Sequence, residues 1–475
     1  MVVVGQNAVA LNSRIRAHPT GDLLSRNAET AFFPKDGILA WAGKAADMTI
    51  NATIGVAKGP DESGKMKELY IPTVMRQLKN LSPEGAVAYS PPKGIADSKD
   101  KENEDVTIPG LGTRWKEMQL EKNPTLHGID TSTPIATLGL TGASYLALKL
   151  TCDHGDEIIT TSHYWENYGL MADDIGARIK TFKTFVEDGK GKIIGGLNIG
   201  GLREMLLAEG DKKTLLLNFP NNPTGYSPTI EEAGKIRDVI FEAAEKGKKI
   251  TVIIDDAYFG FLFTPDAYGE SLFSLLANVH ENVLAIKVDG PTKESYVWGF
   301  RVGFITIASA GMTKDIYAAW EEKMAGMIRR SYSNGPTPSQ KALLAAYGKN
   351  ADDPTYGQYL AEKKVIDKII EHRFRAMQME FELNKNGLYV PVPTVGGYFS
   401  CFALVAEQMG NVTAEDLALK LHEEPYSTGI IPMSRTEFRV AFSGVPIESE
   451  GENLKGRDMR QLFVNISAAC EDIRR

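Results

Sequence analysis

Lys293 is followed eight residues later by Arg301 in the frame KESYVWGFRVGF, with Gly299 and Gly303 flanking the arginine. A lysine attacks an aldehyde only while its amine is neutral, and the imine that results is a standard use of this side chain in catalysis. Asp255 opens the run Asp255-Asp256-Ala257-Tyr258. A carboxylate set against a pyridine nitrogen keeps that nitrogen protonated and makes the ring an electron sink. Tyr258 is spaced to donate to a phenolic oxygen on such a ring. Gly139-Leu140-Thr141-Gly142-Ala143 opens an apparent helix over 144–150, and free N–H groups at a helix start attract an anion. Arg301 would add a bidentate charge to the same anion. Trp165, in SHYWENYGL, offers an aromatic face for stacking. Each feature alone is bland, since most lysines are solvated and most strand-end aspartates cap turns. As a set they are what an aromatic, phosphorylated, positively charged cofactor requires.

The elements that must hold these residues are legible as short apolar runs at 157–161 (EIITT), 214–219 (TLLLNF), 250–254 (ITVII), 283–288 (VLAIKV) and 302–308 (VGFITIA). Continuous apolar runs without polar alternation predict strands buried on both faces. Helical stretches such as 230–246 (IEEAGKIRDVIFEAAEK) lie between them, so the class is α/β with a mostly parallel sheet. In such a sheet ligands sit beyond the carboxyl ends of the strands. Asp255, Lys293 and the Pro220-Asn221-Asn222-Pro223-Thr224-Gly225 turn all fall just past a run. From about 345 a long amphipathic helical stretch precedes strand-like pieces at 398–404 and 439–442. That predicts a smaller α+β domain, able to recruit an N-terminal segment. Residues 1 to about 50 read as an irregular arm with a short helix. Residues 92–128 read as a polar, solvated loop, an insertion carrying the charge run KDKENED at 100–106. With 475 residues, two domains are expected. The division is 1–70 as arm and part of the small domain, 71–340 as the large domain, and 341–475 as the small C-terminal domain.

The formal net charge of -8 makes the chain a poor polyanion binder, which argues against nucleic acid as a partner. Cys152, Cys401 and Cys470 are far apart, so no CxxC metal or redox pair exists and no metal is expected. The start lacks the basic-then-apolar order of a signal peptide, and no window approaches eighteen apolar residues. No membrane association and a cytoplasmic location are therefore expected.

The ordered set NNPTG (221–225), DDAY (255–258) and GPTKESYVWGFRVG (290–303) resembles the fold-type I pyridoxal-phosphate enzymes. Within them the chain resembles class I/II aminotransferases, closest to the aspartate/aromatic branch, over residues 50 to 445. The resemblance implies the aspartate aminotransferase-like fold: a mostly parallel seven-stranded sheet flanked by helices, plus a smaller α+β domain. It implies pyridoxal 5'-phosphate held by Lys293 as a Schiff base, the internal aldimine. Lys293 then shuttles a proton between the substrate's α-carbon and the cofactor. Asp255 pairs with the pyridine nitrogen, Tyr258 and Asn222 hold the phenolic oxygen, and Trp165 stacks on the ring. Thr141, Gly142, Ala143, Thr292 and Arg301 form the phosphate cup. Tyr89, in AYSPPKGI, matches a tyrosine that reaches the phosphate of the neighbouring subunit, which implies a homodimer with composite sites.

The same resemblance makes Arg439, in FRVAFSGV, the clamp for the substrate's α-carboxylate, with Asn222 and Trp165 beside the substrate. Arg329 lies in IRRSYSNGP, similar to the branch's IRxxYSNPP, where the arginine crosses the dimer to a distal carboxylate. Substrates would then be aspartate, glutamate or an aromatic amino acid, with a 2-oxo acid such as 2-oxoglutarate as partner in a ping-pong aldimine/ketimine cycle. There are departures. Gly290 stands where a serine is common, Ala143 replaces a hydroxyl residue, and Tyr168 stands where histidine is frequent. The segment at 50–66 lacks the family's aromatic residue after its glycine. A pyridoxal-phosphate lyase or decarboxylase uses the same lysine, aspartate and phosphate cup, and remains the alternative. A regulator fused to a DNA-binding domain is disfavoured by the short, weakly basic start, and a nucleotide loop by the absence of GxGxxG or GxxxxGK[ST].

Overall fold

The computed structural model describes residues 6–33, 37–100, 104–451 and 454–474. Its centre is a seven-stranded sheet made of β1 (Ile135–Leu138), β2 (Glu157–Thr161), β3 (Arg178–Phe182), β4 (Lys212–Asn218), β5 (Lys249–Asp255), β6 (Val283–Asp289) and β7 (Val302–Ala308). The spatial order is β1-β7-β6-β5-β4-β2-β3. All neighbours are parallel except β7, which runs antiparallel to both β6 and β1. The five apolar runs are the five central strands. The two edge strands escape sequence reading because β1 has only four residues and β3 alternates polar and apolar, with a largely exposed pattern.

Alternate residues of the central strands feed two separate cores. Leu216, Ile253 and Ile286 join one, while Leu215, Leu217, Val252 and Ile254 join the other. This burial on both faces is why these strands are uninterrupted apolar runs. The register sets Asn218 opposite Asp255 and Asp255 opposite Val288, so the polar ends of β4, β5 and β6 finish at one level.

The region 92–128 departs from expectation. Ser98–Lys99 and Thr107–Ile108 form a small exposed hairpin, and residues 101–103 of the charge run lie outside the described residues. Beyond it stands a helix, α1 (Leu111–Lys122), in place of a solvated loop. Leu111, Trp115 and Met118 recur at helical spacing and are fully buried, and Arg114 is buried beside them. The N-terminal arm is likewise more ordered than expected, with helices at Gln6–Arg16, Arg26–Thr30 and Ile38–Lys44.

Helix α2 (Gly139–Thr151) follows β1, and α3 (Ile230–Glu245) is started by a capping box in which Thr229 and Glu232 bond reciprocally. The short α4 (Pro291–Glu294) follows β6, and α5 (Lys314–Ser331) follows β7. The 31-residue α6 (Pro354–Asn384) leads into an antiparallel sheet of β8 (Tyr389–Pro391), β9 (Ser400–Leu404), β10 (Ile431–Pro432) and β11 (Glu437–Val440), in the order β8-β9-β11-β10. Ile50–Asn51 pairs in parallel with Thr428–Gly429, so an N-terminal segment does return to the C-terminal part. Among the described residues no helix is long and apolar enough to cross a membrane.

Candidate active site

Lys293 lies on the single turn of α4, at the end of β6. Its neighbours anchor that turn. Glu294 pairs with Lys122, and Ser295 Oγ lies 2.8 and 3.0 Å from the hydroxyls of Tyr359 and Tyr347. Tyr296 donates to Asp367 at 2.6 Å. Lys293 itself is mostly buried, with Nζ 5.0 Å from the centre of the Tyr258 ring. Burial pulls its pKa down to about 8; the Asp255 carboxylate opposes this and Arg301 adds to it. A neutral amine is thus available near neutral pH.

Asp255 ends β5 and is buried. Oδ2 accepts the Tyr168 hydroxyl at 2.5 Å and Oδ1 accepts the Ala257 N–H at 3.0 Å. Burial raises its pKa, while the Tyr168 hydrogen bond and the Lys293 charge lower it. Burial also raises the Tyr258 pKa, so its hydroxyl stays a donor. Asn218 ties the level together: Nδ2 donates to the Asp255 carbonyl (2.8 Å) and Oδ1 accepts the Asn222 N–H (2.8 Å).

Arg439, on β11, is 2 % exposed. Nη1 donates to Asn222 Oδ1 (2.9 Å) and Nη2 to the Thr53 carbonyl (2.8 Å), while Nε has no partner among the described residues. Because Oδ1 of Asn222 is taken, its Nδ2 remains to donate. The Phe399 ring lies 4.1 Å from the guanidinium carbon. Gly225 is required here: its φ is +73°, and a Cβ would stand 2.2 Å from the Phe399 carbonyl.

Thr141, Gly142 and Arg301 line one cavity of about 530 Å³, together with Tyr145 and Tyr332. Gly139 has φ +72°, and a Cβ there would lie 2.5 Å from Arg301 Nη2, so only glycine lets the guanidinium lie across the helix start. The helix begins at Gly139, five residues earlier than the sequence suggests. With Leu138 as the N-cap, the four N–H groups without a helical acceptor are those of Leu138 to Thr141. Gly142 and Ala143 fall beyond them, Ala143 with its methyl in the core. Thr292 is buried with Oγ1 3.4 Å from the Val302 carbonyl. Trp165 is partly buried and meets Tyr168 edge-on at 5.5 Å.

Two residues are not brought in. Tyr89 is 89 % exposed, and Arg329 is exposed at the end of α5, donating to Ser333 Oγ. Tyr332, three residues after Arg329, does reach the cavity, and its hydroxyl accepts the Leu138 N–H at 3.3 Å. Sequence reasoning missed Asn218, Phe399 and the Thr53 carbonyl. Asn218, a polar residue closing an apolar run, carried a signal; a phenylalanine after two glycines and a main-chain carbonyl carried none.

Residues 118–449 match the family model for aminotransferase class I and II. Aspartate aminotransferase 1 of Medicago sativa is 25 % identical over 410 residues, covering 85 % of this chain and 91 % of that protein. A probable aspartate/prephenate aminotransferase of Aquifex aeolicus is 23 % identical over 339 residues, covering 69 % and 71 %. Among solved structures, an aminotransferase from Anaerococcus prevotii superposes with a TM-score of 0.74 at 24 % identity, covering 94 % of this chain and 98 % of that one. The aspartate aminotransferase of Thermus thermophilus with maleate gives 0.66 at 18 % identity, covering 94 % and 99 %. The chain belongs to the class I and II aminotransferases, a pyridoxal-phosphate-dependent family of fold type I, and is an aminotransferase.

Proposed function

We propose that the chain holds pyridoxal 5'-phosphate at the ends of β4, β5 and β6 and moves an amino group between an L-amino acid and a 2-oxo acid in ping-pong fashion. The observation that carries this reading is the buried Arg439 guanidinium, joined to Asn222 and left with an unpartnered Nε. A buried cation with an open donor beside ring-binding residues suits a carboxylate. The remaining groups suit the cofactor. Asp255 offers a buried carboxylate to a protonated ring nitrogen, and Asn222 Nδ2 and the Tyr258 hydroxyl offer donors to a phenolic oxygen. Thr141, Thr292 and Arg301 offer donors to a phosphate, with Gly142 leaving room beside them, and the Trp165 ring offers a stacking face.

When bound, the cofactor supplies an aldehyde carbon and an electron-poor ring that stabilises negative charge at the substrate's α-carbon. Lys293 Nζ would take the substrate's α-proton and hold it for redelivery. Asp255 keeps the proton on the ring nitrogen. Arg439 orients the substrate through its carboxylate, with Phe399 fixing the plane of the guanidinium.

Aspartate, glutamate or an aromatic amino acid is the proposed donor, in keeping with the aspartate and aspartate/prephenate names of the relatives. The exposure of Tyr89 and Arg329 supports a homodimer in which each reaches the other subunit's site, and a cytoplasmic location is in keeping with the name of a cytoplasmic isozyme among the relatives. The deciding experiment mixes the cofactor-loaded protein with glutamate and follows absorbance. Conversion to the amine form, reversed by 2-oxoglutarate, is expected. No conversion with any amino acid, or ammonia or carbon dioxide release without an acceptor, would sink transamination in favour of the lyase or decarboxylase alternative.

A further inference from the structure

His163 stands two residues before Trp165, on the segment leaving β2. Its ring joins the large sheet to the small one. Nδ1 lies 2.8 Å from Thr184 Oγ1, and Nε2 lies 3.0 and 3.2 Å from the two carboxylate oxygens of Glu437. Thr184 Oγ1 also accepts the His163 main-chain N–H at 3.0 Å and lies 3.1 Å from Ser162 Oγ. A carboxylate accepts, so Nε2 is the nitrogen that donates to Glu437, an assignment drawn from the hydrogen-bond network.

Glu437 precedes Arg439 by two residues on β11, so both side chains project from one face of the strand. They pair with Ala403 and Cys401 of β9. The His163 carbonyl accepts Asn221 Nδ2 at 3.0 Å, and the next residue, Asn222, accepts Arg439 Nη1. The contacts close a circuit from His163 through Glu437, β11, Arg439, Asn222 and Asn221 back to His163. Strand β11 is thus held to the large sheet's loops at two points about 7 Å apart along its length. One point of attachment leaves a strand free to swivel; two fix its direction.

The geometry points to His163 and Glu437 as a positioning pair for carboxylate recognition, whose contact fixes the direction in which the Arg439 fork is presented. This rests on the proposed reading of Arg439 as the carboxylate clamp. Neither residue touches the reacting atoms.

The test uses the cofactor-loaded protein and succinate, a dicarboxylate that cannot react, titrated by calorimetry. Glu437→Ala and His163→Ala each weaken succinate binding roughly tenfold, and the double variant is no weaker than either single, as coupled neighbours require. Bound-cofactor absorbance stays unchanged. KM for amino acids rises while kcat moves little. His163→Gln, which keeps a donor near the Nε2 position, restores most of the affinity. Additive losses, or a lowered Tm with unchanged succinate affinity, would overturn the pairing. Arg439→Lys is measured alongside. If it weakens succinate while the bridge variants do not, only the bridge fails. If it leaves succinate binding intact, the clamp reading fails and the bridge proposal with it.

Discussion

Asp255 and Asp256 are adjacent on the chain and face opposite environments. Behind the strand ends, Asp256 accepts Ser271 Oγ (2.6 Å) and pairs with Lys287 (2.9 Å), which also pairs with Asp289 (2.5 Å). Trp115 Nε1 donates to the same Asp289 oxygen at 3.0 Å. Burial lowers the Lys287 pKa, but the two aspartates outweigh it, so the lysine stays charged. In front, Asp255, Tyr258, Lys293 and Arg439 are buried as deeply or nearly so, yet retain free lone pairs, donors or a neutral amine. The contrast teaches that burial of charge does not by itself mark a site. The rear cluster pairs its charges with one another through Lys287, although Asp289 Oδ1 has no hydrogen-bond partner among the described residues. The front group is short of partners that a ligand would supply.

Substitutions on the two sides should therefore separate activity from stability. Lys293→Ala should remove the cofactor's imine absorbance and cut turnover by about 10³–10⁴-fold, with unfolding by denaturant little changed. Retained turnover would break the comparison at its front half. Lys287→Met leaves two buried carboxylates uncompensated and should cost about 3–5 kcal/mol of stability. The molecules that remain folded should keep normal KM values; a substrate-specific KM change would move this cluster into the site.

Arg439→Leu should cost about 2–5 kcal/mol in kcat/KM, equally for all amino acids, since every substrate carries the α-carboxylate. Arg329→Leu, by contrast, should raise KM on the order of tenfold for dicarboxylates alone. An equal loss for aromatic and acidic substrates would contradict a distal role. The smallest effect concerns pH. Because the Lys293 pKa lies at about 8, below its ordinary value, the neutral amine dominates above that point. Cofactor capture by the cofactor-free protein should quicken as pH rises and level off above about pH 8. Asp255→Asn removes the charge that favours protonated Lys293, so the midpoint should move to lower pH; an upward move would contradict this coupling.

Legibility followed local physics. The runs at 157–161 and 302–308 coincide with β2 and β7 because burial on both faces demands unbroken apolar sequence. Strand β3, at the edge, shows no such demand and was not read. Helix α1 was hidden because its charged residues dominate the composition of 92–128, while its buried stripe is only three apolar residues wide. Of the site, the residues ending strands were legible, and Phe399 was not, since a core phenylalanine and one stacked on a guanidinium look alike in sequence.

The sequence by itself singled out the front group: Lys293, Asp255, Tyr258 and Asn222 by type and by their place after apolar runs, and Arg301 by its place just before one, all dictated by local hydrophobicity. Tertiary structure decided what the second aspartate meets: alternation sends Asp256 to the opposite face, and only packing sets Lys287 and Ser271 against it there. It also decided that Arg439 and Glu437, more than two hundred residues from Asn222 and His163, lie against them. Those contacts depend on the fold bringing β11 back over the large sheet, and no local rule reaches that far.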